Sequence, residues 1–332
     1  MHKKRKNRKV KKDMKLKKMI ALLLVVVLSL SCLAGCGAED EQLEFYFVSL
    51  MSGGAAWSRA EQGFLDACEE LGVAGQYLAP VERNNMVEIA NLIDQCITQE
   101  ADAVIGVLAS IEMFGPSLLK GKEQGTVLGS VQLQLPTEYV DFNIGTDQLA
   151  QGTKFGEALA ELAGDKEYQV IWMCGSASEQ GNMQYEGFVK ALEAYPNITC
   201  LGMRFDEGSA ATANQILTDE LTANPGLNAV VCLDSSAATI GTASFVDEKG
   251  LEDEWLTIGI DASADILNYV KSGALDATMN QDFYAMGYQS VKMAYEKIVN
   301  GVEPPYYTDT GMYLIHADEV DAYAAEAGID LG

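Results

Sequence analysis

A chain of 332 residues with 48% apolar and 21% charged residues is long enough for two domains with cores of their own, and its composition is not that of a disordered protein. Its formal net charge of −25 hides an asymmetry, because eleven Lys or Arg (Lys3, Lys4, Arg5, Lys6, Arg8, Lys9, Lys11, Lys12, Lys15, Lys17 and Lys18) fall within residues 1–18. Residues 1–35 hold eleven of the 23 basic residues and one of the 48 acidic ones, so the remainder carries 12 against 47, a net charge near −35 that repels phosphate backbones and excludes nucleic acid as a partner.

The basic segment is followed by an apolar run over 19–30, the order of an export signal. That run is short of the ~20 residues a membrane-spanning helix needs. Next comes Leu33-Ala34-Gly35-Cys36, which resembles the lipobox of bacterial lipoproteins: an apolar residue, two small ones that let a peptidase approach the backbone, then cysteine. The resemblance implies that 1–35 is a signal peptide, that Cys36 carries the lipid, and that 36–41 links it to the folded part. The protein is then expected outside the cell, anchored to the outer face of the cytoplasmic membrane.

From Gln42 onward short β-type runs alternate with segments of helical period, which predicts parallel sheets covered by helices. Strands are expected over 43–50, 75–78, 103–108, 127–131 and 139–144, with helices over 57–71, 85–100 and 112–123. Gly72 and Gly125 are suited to ending two of these helices. After Gly145-Thr146-Asp147 the alternation restarts, with helices over 148–162, 179–195, 209–223, 237–249 and 264–271. The strands between them are expected over 170–173, 199–203, 229–233, 256–260 and 277–279. Ten strands fit two lobes better than one twisted sheet. A further helix over 284–299 ends at Asn300-Gly301, Pro304-Pro305 forbids its continuation, and a late strand is expected over 311–315.

Of seven cysteines, Cys32 and Cys36 belong to the leader and lipobox, leaving Cys68, Cys96, Cys174, Cys200 and Cys232. There is no CxxC, and Cys174, Cys200 and Cys232 sit in apolar strand-like runs, as small buried hydrophobes do. The only histidines are His2 and His316, so no Ser-His-Asp or Cys-His arrangement can be built, and no HExxH, P-loop or Cys/His metal cluster is present. The sequence therefore argues against an enzyme and calls for no metal or cofactor.

An ordered set of signatures resembles the type I periplasmic binding proteins of the ribose-binding class. They are Gly53-Gly54 and Trp57 after the first strand with Gly63-Phe64; Gly145-Thr146-Asp147 with Gly152; and Gly175-Ser176 through Asn182 to Glu186-Gly187-Phe188. Asp234-Ser235, Gly259-Ile260-Asp261 and Ala277-Thr278-Met279-Asn280-Gln281 before Gly287 complete the set. The resemblance implies two doubly wound α/β lobes joined by a three-crossing hinge. Lobe one would be 42–146 plus 282–312 and lobe two 147–281 plus 313–332, with crossings near Thr146, Gln281 and Tyr313. It implies a monomer that closes on a small polar solute, a sugar or polyol, and delivers it to an ABC permease. The same fold also serves sensors that report to a chemoreceptor or kinase, and binders of nucleosides or autoinducers. A LacI-like regulator would need a helix-turn-helix before the first strand, where 1–42 hold the signal and lipobox instead.

Ligands of such folds sit outside the C-terminal ends of parallel strands, so candidates are the residues just after each strand. Trp57 stands where the family places a stacking aromatic, although such a ring also caps a core; Phe205 matches the second aromatic. Asp261 matches a carboxylate that accepts hydroxyl hydrogen bonds, its competing role being the N-cap of the next helix, which Ser263 could equally supply. Gln281 aligns with the hinge glutamine, whose amide both donates and accepts. Asp234 or Ser235 supplies a polar contact, with a register uncertain by one residue. The family's cleft arginine is Gln184 here, and the acidic residue after strand four corresponds to Gln132, so ribose specificity does not carry over. Arg83 and Ser110, after strands two and three, complete the candidates.

Overall fold

The computed structural model describes residues 42–108 and 110–332. The expected signal peptide, Cys36 and the 36–41 linker lie outside the described residues. In chain order the first half runs β1 (Glu44–Val48), α1 (Ala55–Leu71), β2 (Ala74–Leu78), α2 (Met86–Thr98), β3 (Ala103–Gly106), α3 (Ile111–Gln124), β4 (Val127–Val131) and β5 (Phe142–Gly145). The second half begins with α4 (Gln148–Ala163), β6 (Tyr168–Cys174), α5 (Glu179–Leu192), β7 (Ile198–Phe205) and α6 (Ala210–Ala223). It continues with β8 (Leu227–Cys232), α7 (Ala238–Lys249), β9 (Leu256–Ile260), α8 (Ala264–Ser272) and β10 (Ala277–Gln281). The chain closes with α9 (Phe283–Asn300), β11 (Tyr307–Asp309), β12 (Met312–His316) and α10 (Val320–Ala327).

These strands form two six-stranded sheets of matching order, β11-β5-β4-β3-β1-β2 and β12-β10-β9-β8-β6-β7. All pairs are parallel except β12 against β10. The fold is therefore α/β, two doubly wound sheets, as the alternation of periods predicts. Strand side chains alternate faces, and both faces are apolar. Phe45 and Phe47 pack with Phe64 of α1 and Met286 of α9, while Tyr46 and Val48 pack with Ile93 of α2 and Leu118 of α3. In the second sheet Trp172 meets Phe155 of α4 and Phe188 of α5, and Ile171 lies with Leu217 of α6 and Leu267 of α8.

The two halves share a packing device. A Cβ on Gly152 of α4 would lie 1.7 Å from the Gln184 carbonyl oxygen of α5, and one on Gly187 would lie 2.1 Å from that of Leu149. In the first half Gly63 of α1 and Gly287 of α9 face the carbonyls of Tyr284 and Ala60 at 2.1 Å each. At both crossings helix backbones touch, and only glycine fits.

Two elements escape the periodicity. β11 is three residues, ordered by parallel pairing with β5, and α10 buries only Val320 and Ala324. The expected crossing near Tyr313 is displaced as a result. Tyr313 already pairs with Asn280 and Met312 with Gln281 in the second sheet, so the chain passes between sheets at Thr310–Gly311. The crossing segments run side by side: Thr310 N donates to Gly145 O at 2.9 Å, and Asp309 Oδ1 accepts from Asp147 N at 3.2 Å and from Gly311 N at 2.9 Å.

Cys68, Cys96, Cys174, Cys200 and Cys232 are free. Four of them lie in four different sheet-face cores. Cys174 and Cys200 share a face, but Cys200 pairs with Val170, four residues from Cys174, a separation of ~13 Å where a disulfide needs under ~7 Å. Burial pushes the thiols of Cys68, Cys96 and Cys232 up to about 12 and that of Cys174 to about 11. Alkylation of the native protein followed by mass spectrometry is expected to label at most Cys200 among these five, with the other four reacting only on unfolding. Modification of two or more in the native state would contradict this packing.

Candidate functional site

Parallel pairing puts the C-terminal ends of both sheets' strands on the side where the chain crosses between them, and the candidate residues follow those ends. Gln132 directly follows β4 and Asp261 directly follows β9, the third strands of the two matching orders. Both have positive φ, 69° and 66°, a region L-residues occupy at ~1–3 kcal/mol and one associated with sites. Each makes one last ladder bond before turning away, Gln132 N to Ile144 O at 2.8 Å and Asp261 N to Met279 O at 2.9 Å.

Four candidates form a connected polar chain. Gln132 Nε2 donates to Gln281 Oε1 at 3.1 Å, joining the end of β4 to the end of β10. The side chains of Ser235 and Gln281 lie beside the Asp261 carboxyl, close enough to favour its charged form. Burial pushes the Asp261 pKa up, with neighbouring Asp234 adding to the rise, while those two polar side chains oppose it. The array of two amides, a hydroxyl and a carboxylate offers both donors and acceptors to hydroxyl groups. Ser263 Oγ accepts from Ile266 N at 3.3 Å and caps α8, which leaves the Asp261 side chain free of that role.

At the end of β8 the two candidates differ in their surroundings. The Ser235 side chain lies beside the Asp261 carboxyl, whereas Asp234 Oδ1 accepts from Ser236 N and Oγ and from Ala237 N, bracing the loop before α7. Trp57, in the first turn of α1, is half-buried and packs edge-on against Phe283, with ring centroids 5.3 Å apart. Phe283 lies two residues beyond Gln281, so the ring borders the polar chain.

The other candidates stand apart from that chain. Ser110 Oγ caps α3, accepting from Met113 N at 3.3 Å. Gln184 Nε2 donates to Gln148 and Gln151 at 2.6 Å each, tying α5 to α4. Phe205 is 39% exposed at the end of edge strand β7, three strand spacings or ~14 Å sideways from β9. Arg83 is exposed in the turn before α2.

Sequence reasoning missed Asp206. It is fully buried; Oδ1 accepts from Gly208 N at 2.8 Å, while Oδ2 has no hydrogen-bond partner among the described residues. Burial raises its pKa, and Asp234 adds to the effect. The available signal was Asp206-Glu207-Gly208 after a strand, an Asx-turn pattern. Beside Gln132 lies a cavity of about 570 Å³ between the two halves, bordered by Ile111 and Leu133 on one side and by Gln148 and Met183 on the other.

The raised Asp261 pKa gives binding and stability opposite pH dependences. A carboxylate acceptor must be ionised, so affinity is expected to fall on acidification from a pH above the ordinary carboxylate value of about 4. Stability has the reverse sign. With the folded pKa above the unfolded one, this group's contribution is full below the unfolded pKa and is lost as pH rises through the folded one. Titration calorimetry across that range, with Asp261→Asn as reference, checks it; a wild-type profile that superimposes on the variant's would refute it.

The chain belongs to the periplasmic binding protein domain family, whose model matches residues 45–301. A xylitol-binding protein of Mycolicibacterium smegmatis is 27% identical over 205 residues, covering 60% of this chain; the chain thus spans 57% of that relative's length. The ribose import binding protein of Haemophilus influenzae is 25% identical over 296 residues, 86% of this chain and 94% of that one. Among solved structures, the glucose-galactose binding protein GanP of Geobacillus stearothermophilus superposes with a TM-score of 0.68 at 25% identity, covering 84% of this chain and 99% of that one. These relatives are binding proteins, and no helix among the described residues is long and apolar enough to cross a membrane.

Proposed function

We propose that this protein is an exported, lipid-anchored solute receptor that holds a sugar or polyol between its two halves and presents it to an ABC permease. The observation that carries this reading is the Gln132–Gln281 hydrogen bond, which links the strand ends of both sheets across a crossing segment, with Asp261 and Ser235 beside it. A polyhydroxylated solute that exchanges hydrogen bonds with groups on both halves binds best when the halves are closed, and it shifts the equilibrium by that difference in affinity. Trp57 supplies an apolar face for the C–H surface of such a ring. Relatives named for xylitol, ribose and glucose-galactose support the solute class, and the lipobox at Cys36 supports attachment to the membrane that holds the permease.

A thermal-shift panel of xylitol, D-ribose, D-allose, D-xylose, D-glucose and D-galactose tests the reading. A ligand at one hundred times its Kd adds ~2.7 kcal/mol of stability, so at least one member is expected to raise Tm by several degrees. No shift with any member would overturn the solute class.

A further inference from the structure

We infer that the cavity beside Gln132 is a second subsite for a further hydroxylated, non-anionic unit joined to the first, so that the preferred solute is a disaccharide or glycoside rather than a single sugar. This rests on the carbohydrate reading above and extends it.

Gln132 belongs to both places. Its amide donates to Gln281 in the polar chain, and the same side chain lines the cavity. Asp261, Ser235 and Trp57 do not line it, so it adjoins the polar chain at Gln132 rather than coinciding with it. At about 30 Å³ per water in the liquid, its 570 Å³ has room for on the order of twenty waters. That is more than one pyranose displaces, and it falls within the ~300–1,000 Å³ of ligand pockets.

The lining carries the chemistry of a sugar unit. Gln132, Gln134, Gln148 and Gln180 each present an amide able to donate and accept. Between them lie Leu108, Leu133, Ile111 and Met183, which suit the C–H faces of a ring. Ile111 and Met183 come from opposite halves and are 39% and 41% exposed; a second unit would cover both at once. The ionisable side chains around the cavity include Glu112, Asp147 and Glu179, and no Lys, Arg or His lines it among the described residues. A carboxylate or phosphate on the second unit would meet repulsion with no paired cationic side chain, so the unit carries no negative charge.

Calorimetry on the protein compares D-galactose, D-glucose and D-xylose with galactobiose, cellobiose and xylobiose. At least one disaccharide is expected to bind tenfold or more tightly than its own monosaccharide. The Gln180→Ala/Met183→Ala variant, changed only at two exposed positions of α5, is expected to abolish that advantage while the monosaccharide Kd stays within twofold. A monosaccharide that binds at least as tightly as every disaccharide, or an advantage that survives in the variant, overturns the second subsite and leaves the carbohydrate reading standing. Binding of neither class overturns the carbohydrate reading and the subsite together.

Discussion

Replacing Asp261 by Ala is expected to weaken solute binding at least a hundredfold. The carboxyl is the one ionisable group of the polar chain, with Ser235 and Gln281 beside it, and hydrogen bonds from solute hydroxyls to a charged acceptor contribute ~1.5–3 kcal/mol each. Losing two such bonds corresponds to ~3–6 kcal/mol, and a hundredfold is already ~2.7 kcal/mol. The backbone matters as well, because φ at this residue is 66° and alanine tolerates that region less well than Asp or Asn. Asp261→Asn separates the two effects: it keeps an acceptor and the backbone preference but removes the charge. It is expected to bind weakly yet to lose less stability than wild type as pH rises, because burial disfavours the charged carboxylate. Calorimetric affinities for the best panel ligand, together with melting curves, decide the matter. An Asp261→Ala affinity within threefold of wild type would remove this residue from the site.

The second large effect is on stability. Gly152→Ala is expected to cost at least ~3 kcal/mol, because the new Cβ would sit 1.7 Å from a main-chain carbonyl oxygen that cannot rotate away. At ~2–4 °C of Tm per kcal/mol for a protein of this size, the fall is ~6–12 °C. Gly115→Ala in α3 is the control. There the nearest neighbour of a new Cβ is the Tyr139 ring at 3.2 Å, which can shift, and alanine gains up to ~1 kcal/mol of helix propensity. Its Tm is expected within a few degrees of wild type. Urea unfolding of the two variants gives the comparison, and equal stabilities would contradict the backbone contact between α4 and α5.

How far the sequence could be read differs between fold and site. The change of period between strand and helix located the core elements within a few residues, since those segments bury apolar side chains on both faces of a sheet. β11 and α10 carried no such pattern: the first is fixed by a neighbour across the sheet, the second by two small contacts. Strand ends likewise pointed to Gln132, Asp261 and Gln281, because parallel topology alone places them. What position could not reveal was the direction of each side chain. Ser110 also follows a strand end and Gln184 stands where the resemblance puts a cleft arginine, yet one caps a helix and the other ties two helices together. Asp206 was missed because its burial comes from packing, which no local spacing encodes.

The parallel architecture has an electrostatic consequence. Each helix that follows a parallel strand begins on the crossing side, and α3, α4, α5, α8 and α9 have their first turns capped there by Ser110, Asp147, Ser178, Ser263 and Asp282. Each such start presents roughly half a positive charge from aligned peptide dipoles. A chain this acidic can therefore gather Glu112, Asp147 and Glu179 around one cavity that no Lys, Arg or His lines among the described residues, because the main chain itself supplies the counterbalancing field.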